Sequence, residues 1–130
     1  MTTTVYIANL SEDVWPFISA ISDPSARAAE IEENANLADR DLFSLASQDN
    51  VLFISPRPVN PEFLRYFQNL TSARSLTISV TQHHSGAICE DILKDEAILK
   101  DIVSAANSSK RLTLLSYSTT PYFLNLVKIL

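Results

Sequence analysis

The chain predicts a three-layer α/β/α, Rossmann-like domain built on a four-stranded parallel sheet, and three observations carry that reading. Four short apolar runs, rich in β-branched or aromatic residues, alternate with helical stretches. Two of these runs, VLFIS and LTLLS, are almost continuously hydrophobic, as strands covered on both faces are; a one-faced sheet would alternate. Three helical stretches open with the same device, a capping side chain followed by proline.

The first strand is expected over Thr4–Ala8. Asp23-Pro24 then opens a helical segment to about Ser47 that carries Ala28, Ala29, Ile31, Ala35, Leu37, Ala38, Leu42 and Leu45, in two pieces parting at Asn34–Asn36. Val51–Ser55 reads as the second strand. Asn60-Pro61 opens a helix whose Phe63, Leu64, Phe67 and Leu70 recur at helical spacing and should pack on the sheet. Leu76–Val80 is the third strand. Ala87–Ala106 reads as helix with Ile88, Ile92, Ile98, Ile102 and Val103 inward and a bend at Lys94-Asp95. Leu112–Ser116 closes the strands, and Thr120-Pro121 starts a last helix with Phe123, Leu124, Val127 and Leu130 inward. Strand and helix alternate four times over a single domain, residues 1–130, and right-handed crossovers follow.

Composition narrows function. At 130 residues and 46% hydrophobic content the chain can close a core. A net charge of −5 with only 10 scattered lysines and arginines argues against a nucleic-acid partner. One cysteine, Cys89, forms no internal disulfide and fits a reducing compartment, and with no leader or apolar span in view the cytoplasm is the expected location, with no membrane partner. Gly86 is the sole glycine, where about 7% is ordinary. Phosphate-cradling loops need several glycines, so neither GxGxxG nor GxxxxGK[ST] exists here. The last helix stops at Ile129-Leu130 without glycine, asparagine or polar tail. That ending leads us to expect the N-terminal piece of a longer protein.

Ligands of open parallel sheets gather beyond the carboxyl ends of the strands. Asn9, SPRPVN (Ser55–Asn60), TQHHSG (Thr81–Gly86) and YSTT (Tyr117–Thr120) occupy those ends. Such loops are polar in any case because they supply helix caps, which accounts for Asn60 and Thr120. Arg57 between two prolines is the charged residue suited to gripping a carboxylate or phosphate. His83 and His84 lack the further ligands of a tetrahedral metal set, and no G-x-S-x-G elbow accompanies Ser85. Cys89 reads as a small apolar residue, and Glu30, Glu32, Glu33, Asp39 and Asp41 as solvated acidic surface. A phosphorylated receiver is excluded because Glu12 and Asp13 come late and the second strand ends in Ser55. No catalytic and no metal residue is assigned.

DNVLFISPRPVNPEFLRYFQNL, followed some way on by LTLLSYSTTPYFLNLVKIL, resembles the pre-ATP-grasp domain that precedes the catalytic core of peptide-ligase-like proteins. The resemblance lies in the apolar strand, the P-x-P-V-[DN]-P turn, the aromatic early in the next helix, and a final strand ending in tyrosine before a threonine-capped helix. IANL, Ile7–Leu10, is similar to the family's first strand and its asparagine. Two departures stand out: Gln48-Asp49-Asn50 replaces a P-G-D turn, and Ser116 replaces a proline before Tyr117. The resemblance implies a non-catalytic domain of an ATP-dependent carboxylate–amine ligase that packs on the downstream ATP-grasp domain of the same chain. ATP and magnesium then belong to the whole protein, and this stretch has no cofactor of its own. It also implies a substrate cleft lined by Asn9, Arg57, Asn60, His83, His84, Tyr117 and Thr119. The alternative from another class is a protein-interaction module with no small-molecule site; oligomeric state, a homodimer included, is left open.

Overall fold

The computed structural model describes residues 1–71 and 75–130. Four strands, β1 (Thr2–Ile7), β2 (Asn50–Ser55), β3 (Ser75–Val80) and β4 (Arg111–Ser116), form one sheet in the order β3-β2-β1-β4, with every neighbouring pair parallel. Each expected strand is present within one or two residues of its predicted limits. Val5 and Ile7 of β1 with Leu52 and Ile54 of β2 face one core, while Tyr6 and Ala8 with Val51 and Phe53 face the other. Two faces buried at once explain the unbroken apolar run of β2; the same expectation for LTLLS is corrected, because β4 lies at an edge of the sheet, where Leu112 and Leu114 pack on one core and Leu115 is 40% exposed. β3 differs: Leu76 and Ile78 pack on the core, whereas the alternating Ser75 and Thr77 are exposed, as an edge strand with one covered face requires.

One connection, from β1 to β2, runs through two short helices, α1 (Leu10–Asp13) and α2 (Trp15–Ile18), then α3 (Pro24–Asn36) and a 3-10 segment, Leu37–Leu45. The break expected at Asn34–Asn36 is the place where α-helix gives way to 3-10. Helix α4 (Pro61–Leu70) joins β2 to β3 on the same face as the 3-10 segment. The opposite face is covered by α5 (Ile88–Leu93) and α6 (Glu96–Asn107), which return the chain across the sheet to β4, and by α7 (Pro121–Ile129). Reversing direction while changing face keeps the hand of the crossovers constant. Asp95, at the predicted bend, caps α6 by accepting the Ile98 N–H at 3.2 Å. Asp23, Asn60 and Thr120 cap α3, α4 and α7 through their side-chain oxygens.

Inward assignments along three helical stretches, five residues in all, are corrected. Val103 is 53% exposed, because α6 turns Ile98 and Ile102 to the sheet and Val103 lies past the edge of that face. Leu70 ends α4 in solvent while Phe67 is buried and Phe63 and Leu64 are partly so. In α7 the buried pair is Phe123 and Leu126; Leu124, Val127 and Leu130 are exposed. Apolar residues occupy nearly every position of YFLNLVKIL, so periodicity alone does not select the face.

Gly86 carries the one positive φ among the described residues, +94°, and a Cβ placed there would meet the Trp15 ring at 2.5 Å. Both the backbone conformation and the close aromatic contact demand glycine. Gly86→Ala is therefore expected to lower the unfolding free energy by about 1–3 kcal/mol, read as an earlier midpoint in urea denaturation with an unchanged slope.

Candidate functional site

β1 and β4 are the strands between which the order reverses, so the junction beyond their carboxyl ends is the topological switch point where α/β sheets commonly hold ligands. Asn9 sits there, almost wholly buried, and clamps the loop after β4: its Oδ1 accepts the Ser118 N–H at 3.0 Å and its Nδ2 donates to the Ser118 carbonyl at 2.8 Å. Nδ2 also donates to Glu12 at 3.1 Å. Glu12 is 2% exposed and is the centre of the arrangement. One carboxylate oxygen accepts the backbone N–H of Cys89 in the first turn of α5. The other accepts the Thr120 hydroxyl at 2.9 Å, and Thr120 in turn accepts the Phe123 N–H that opens α7. The chain's own carboxylate thus fills the switch point with charge-assisted hydrogen bonds.

Glu12 was the residue hidden from sequence reading. Asn9-x-x-Glu12 is a capping-box spacing, and the signal was present. The glutamate leaves its own helix, however, and reaches α5 and α7, contacts that no local rule supplies. Cys89 beside it is buried as expected, and burial, reinforced by Glu12 and Asp91, pushes its thiol far above the ordinary value. A thiol held protonated is neither nucleophile nor metal ligand.

A second crevice lies beyond the ends of β1 and β2, under α3. Asn9, Arg57, His84 and Asp91 line it, with Ile31 and Ala35 of α3 as its cover. Its water-accessible volume is about 10 Å³, close to what one water needs. Ser55 pins the Arg57 backbone from both sides: its hydroxyl donates to the Arg57 carbonyl at 2.6 Å and accepts the Arg57 N–H at 3.3 Å. The guanidinium meets Glu32 of α3 through Nε and a terminal nitrogen, with Nε at 3.1 and 3.0 Å from the two carboxylate oxygens. This is the ion pair found among the described residues. Desolvation holds His84, at the exposed rim of the crevice, below the usual histidine value, and the positive Arg57 nearby lowers it further, against the opposing pull of Asp91 and Glu32. The histidine loop is held by two buried acids: Asp95 accepts the Gln82 N–H at 3.2 Å and Asp91 accepts the Ser85 N–H at 3.1 Å.

Of the residues singled out from sequence, Asn9, Arg57 and His84 therefore meet in one crevice. His83 and His84 are both exposed, and His84 is the one at the crevice. Asn60 caps α4, accepting from Glu62 and Phe63 at 2.9 and 3.2 Å, and its own N–H donates to Asp39. Tyr117 and Thr119 are exposed in the loop after β4, beyond the Asn9–Glu12 lock rather than inside the crevice. Asp41, read as solvated, is buried and accepts the Tyr6 hydroxyl at 3.0 Å; burial raises both groups above their usual values. No group of three metal-ligating side chains converges among the described residues, and no helix there is long and apolar enough to cross a membrane.

The family model of the Pre ATP-grasp domain matches residues 38–130, well over half of the chain. The match takes in β2, β3, β4 and the helices between and after them, while central strand β1 and helices α1–α3 precede it. Searches of curated proteins and of solved structures return no significant match.

Glu12→Ala removes the acceptor for three donors at once. It should cost about 3 kcal/mol of stability in chemical denaturation. Cys89 should then react with iodoacetamide measurably faster than in the parent protein, since its helix start is released.

Proposed function

Because the chain belongs to the Pre ATP-grasp domain family, we propose that it is the N-terminal, non-catalytic part of an ATP-dependent carboxylate–amine ligase. In this reading ATP and magnesium are held by a downstream ATP-grasp domain of the same chain, where a carboxylate is activated as an acyl phosphate for attack by an amine. The present domain packs on that core and lends its strand-end loops to the substrate cleft. The observation that carries the reading is the coincidence of the family match with a switch point filled by Glu12. The sheet's usual ligand position is taken by its own side chain, which suits a domain that supports a neighbouring site. The surface supports it as well: Leu124, Val127 and Ile129 of α7, Leu130 after it, Leu115 of β4 and Tyr117 in the following loop leave large apolar side chains in solvent.

The product of the full coding region tests the proposal. It should release ADP from ATP only when a carboxylate and an amine are both supplied, with magnesium required. Leu124→Asp combined with Val127→Asp should leave the stability of the isolated domain within about 1 kcal/mol, because both side chains are already exposed. The same pair should reduce kcat/KM of the complete protein at least roughly tenfold by loosening the domain contact. ATP turnover indifferent to amine and carboxylate would refute the ligase reading; full activity in the double variant would refute the docking role of α7.

A further inference from the structure

Arg57 and Glu32 are unequal partners. Arg57 stands between Pro56 and Pro58 with its backbone tied to Ser55, so the guanidinium is presented from a stiff loop. Glu32 belongs to α3, whose thirteen residues include a single buried one, Ala35. If the pair separates, Glu32 is the side that leaves. Ile31 and Ala35, on the same helix, are the cover of the crevice. Arg57 is the one arginine or lysine among the lining residues, with His84 beside it. Asp91 lies across from it, 3% exposed; one of its oxygens takes the Ser85 N–H, and the other accepts no hydrogen bond from the described residues.

We propose that the mouth of this crevice is a subsite for a small carboxylate, that Arg57 is its binding residue, and that Glu32, carried on α3, already holds that guanidinium as an internal competitor. The glutamate presents to the guanidinium the same flat two-oxygen group that a ligand would. A half-exposed ion pair is a weak latch, so a ligand of modest affinity displaces it, and the closed crevice is the unliganded state. Asp91 limits the net negative charge that can enter, which favours a single carboxylate over a multiply charged anion. The inference deepens the cleft role proposed above and rests on it for biological meaning, but carboxylate binding is measurable on this chain alone.

The test is a titration with sodium propionate, against sodium chloride at matched ionic strength, followed by the Arg57 Nε–H and His84 ring signals in NMR. E32Q should give a saturable shift of both signals with an apparent affinity about fivefold tighter than the parent chain, because the competitor is neutralised. Amides of α3 should exchange faster in E32Q while the melting temperature stays the same. R57Q should lose the saturable response and keep its melting temperature. The proposal is overturned if E32Q shows no saturable shift, if parent and E32Q bind equally, or if inorganic phosphate saturates the signals and propionate does not. An inactive full-length protein with propionate binding intact would count against the ligase reading and leave the subsite standing.

Discussion

A buried carboxylate with three hydrogen-bond donors around it holds the carboxyl edge of this sheet together. Glu12 joins the first turn of α5, the cap of α7 and, through Asn9, the loop after β4. Taking a carboxylate out of water is costly, and one left short of partners would unfold a domain of ordinary stability. Here each oxygen is satisfied by groups whose own positions it then fixes. Thr120 is one of them, and it links the charge to the geometry of α7. Because the threonine hydroxyl bonds Glu12 while accepting the Phe123 N–H, the start of that helix and its rotation are set together. Phe123 and Leu126 turn inward as a result, although the sequence offers several other apolar faces.

The same lock decides where chemistry is available. An open parallel sheet ordinarily leaves a ligand crevice where its strand order reverses, between β1 and β4 in this fold. Glu12 and Asn9 fill that gap. The remaining opening is displaced one strand over, between β1 and β2, where Arg57, His84 and Asp91 converge beneath α3. Its cover belongs to α3, of whose thirteen residues Ala35 is the one buried. Sole glycine Gly86 stands at this boundary: its left-handed backbone lets the histidine loop turn against Trp15 and into α5 without a side chain in the way.

Architecture was legible because it rests on local signals that agree with one another. VLFIS and the cap-proline pairs at residues 23, 60 and 120 each point to the same alternation, and nothing in the tertiary structure contradicts them. The break between α3 and the 3-10 segment and the bend at Asp95 were readable for the same reason, as polar residues interrupting an apolar period. Helix faces were less so. In α6 and α7 apolar residues adjoin the buried positions, and only contacts distant in sequence decide between Ile102 and Val103 or between Leu126 and Val127. The site divided along the same line. Strand ends located Asn9, Arg57 and His84, whereas Glu12, Asp91 and the Arg57–Glu32 pair depend on residues brought together by the fold across long separations.

Arg57 shows why residue type and loop position do not by themselves identify a binding group. An arginine on a proline-stiffened turn satisfies the sequence criterion for anion recognition, yet in the folded chain the guanidinium already has an anion. Glu32 looked like solvated surface, and it is exposed; the side chain nonetheless lies where an incoming carboxylate would have to lie. The carboxylate in question is drawn toward proton loss by the guanidinium it contacts, first through their hydrogen bond. A contact of this kind adds little to the fold, because solvent screens it on one side. Its consequence is kinetic and competitive: a ligand meets a site already charged, aligned and half-desolvated, and has only to exchange one carboxylate for another. Selection then falls on what surrounds the exchange, namely His84, the buried Asp91 and the α3 side chains Ile31 and Ala35 that cover it.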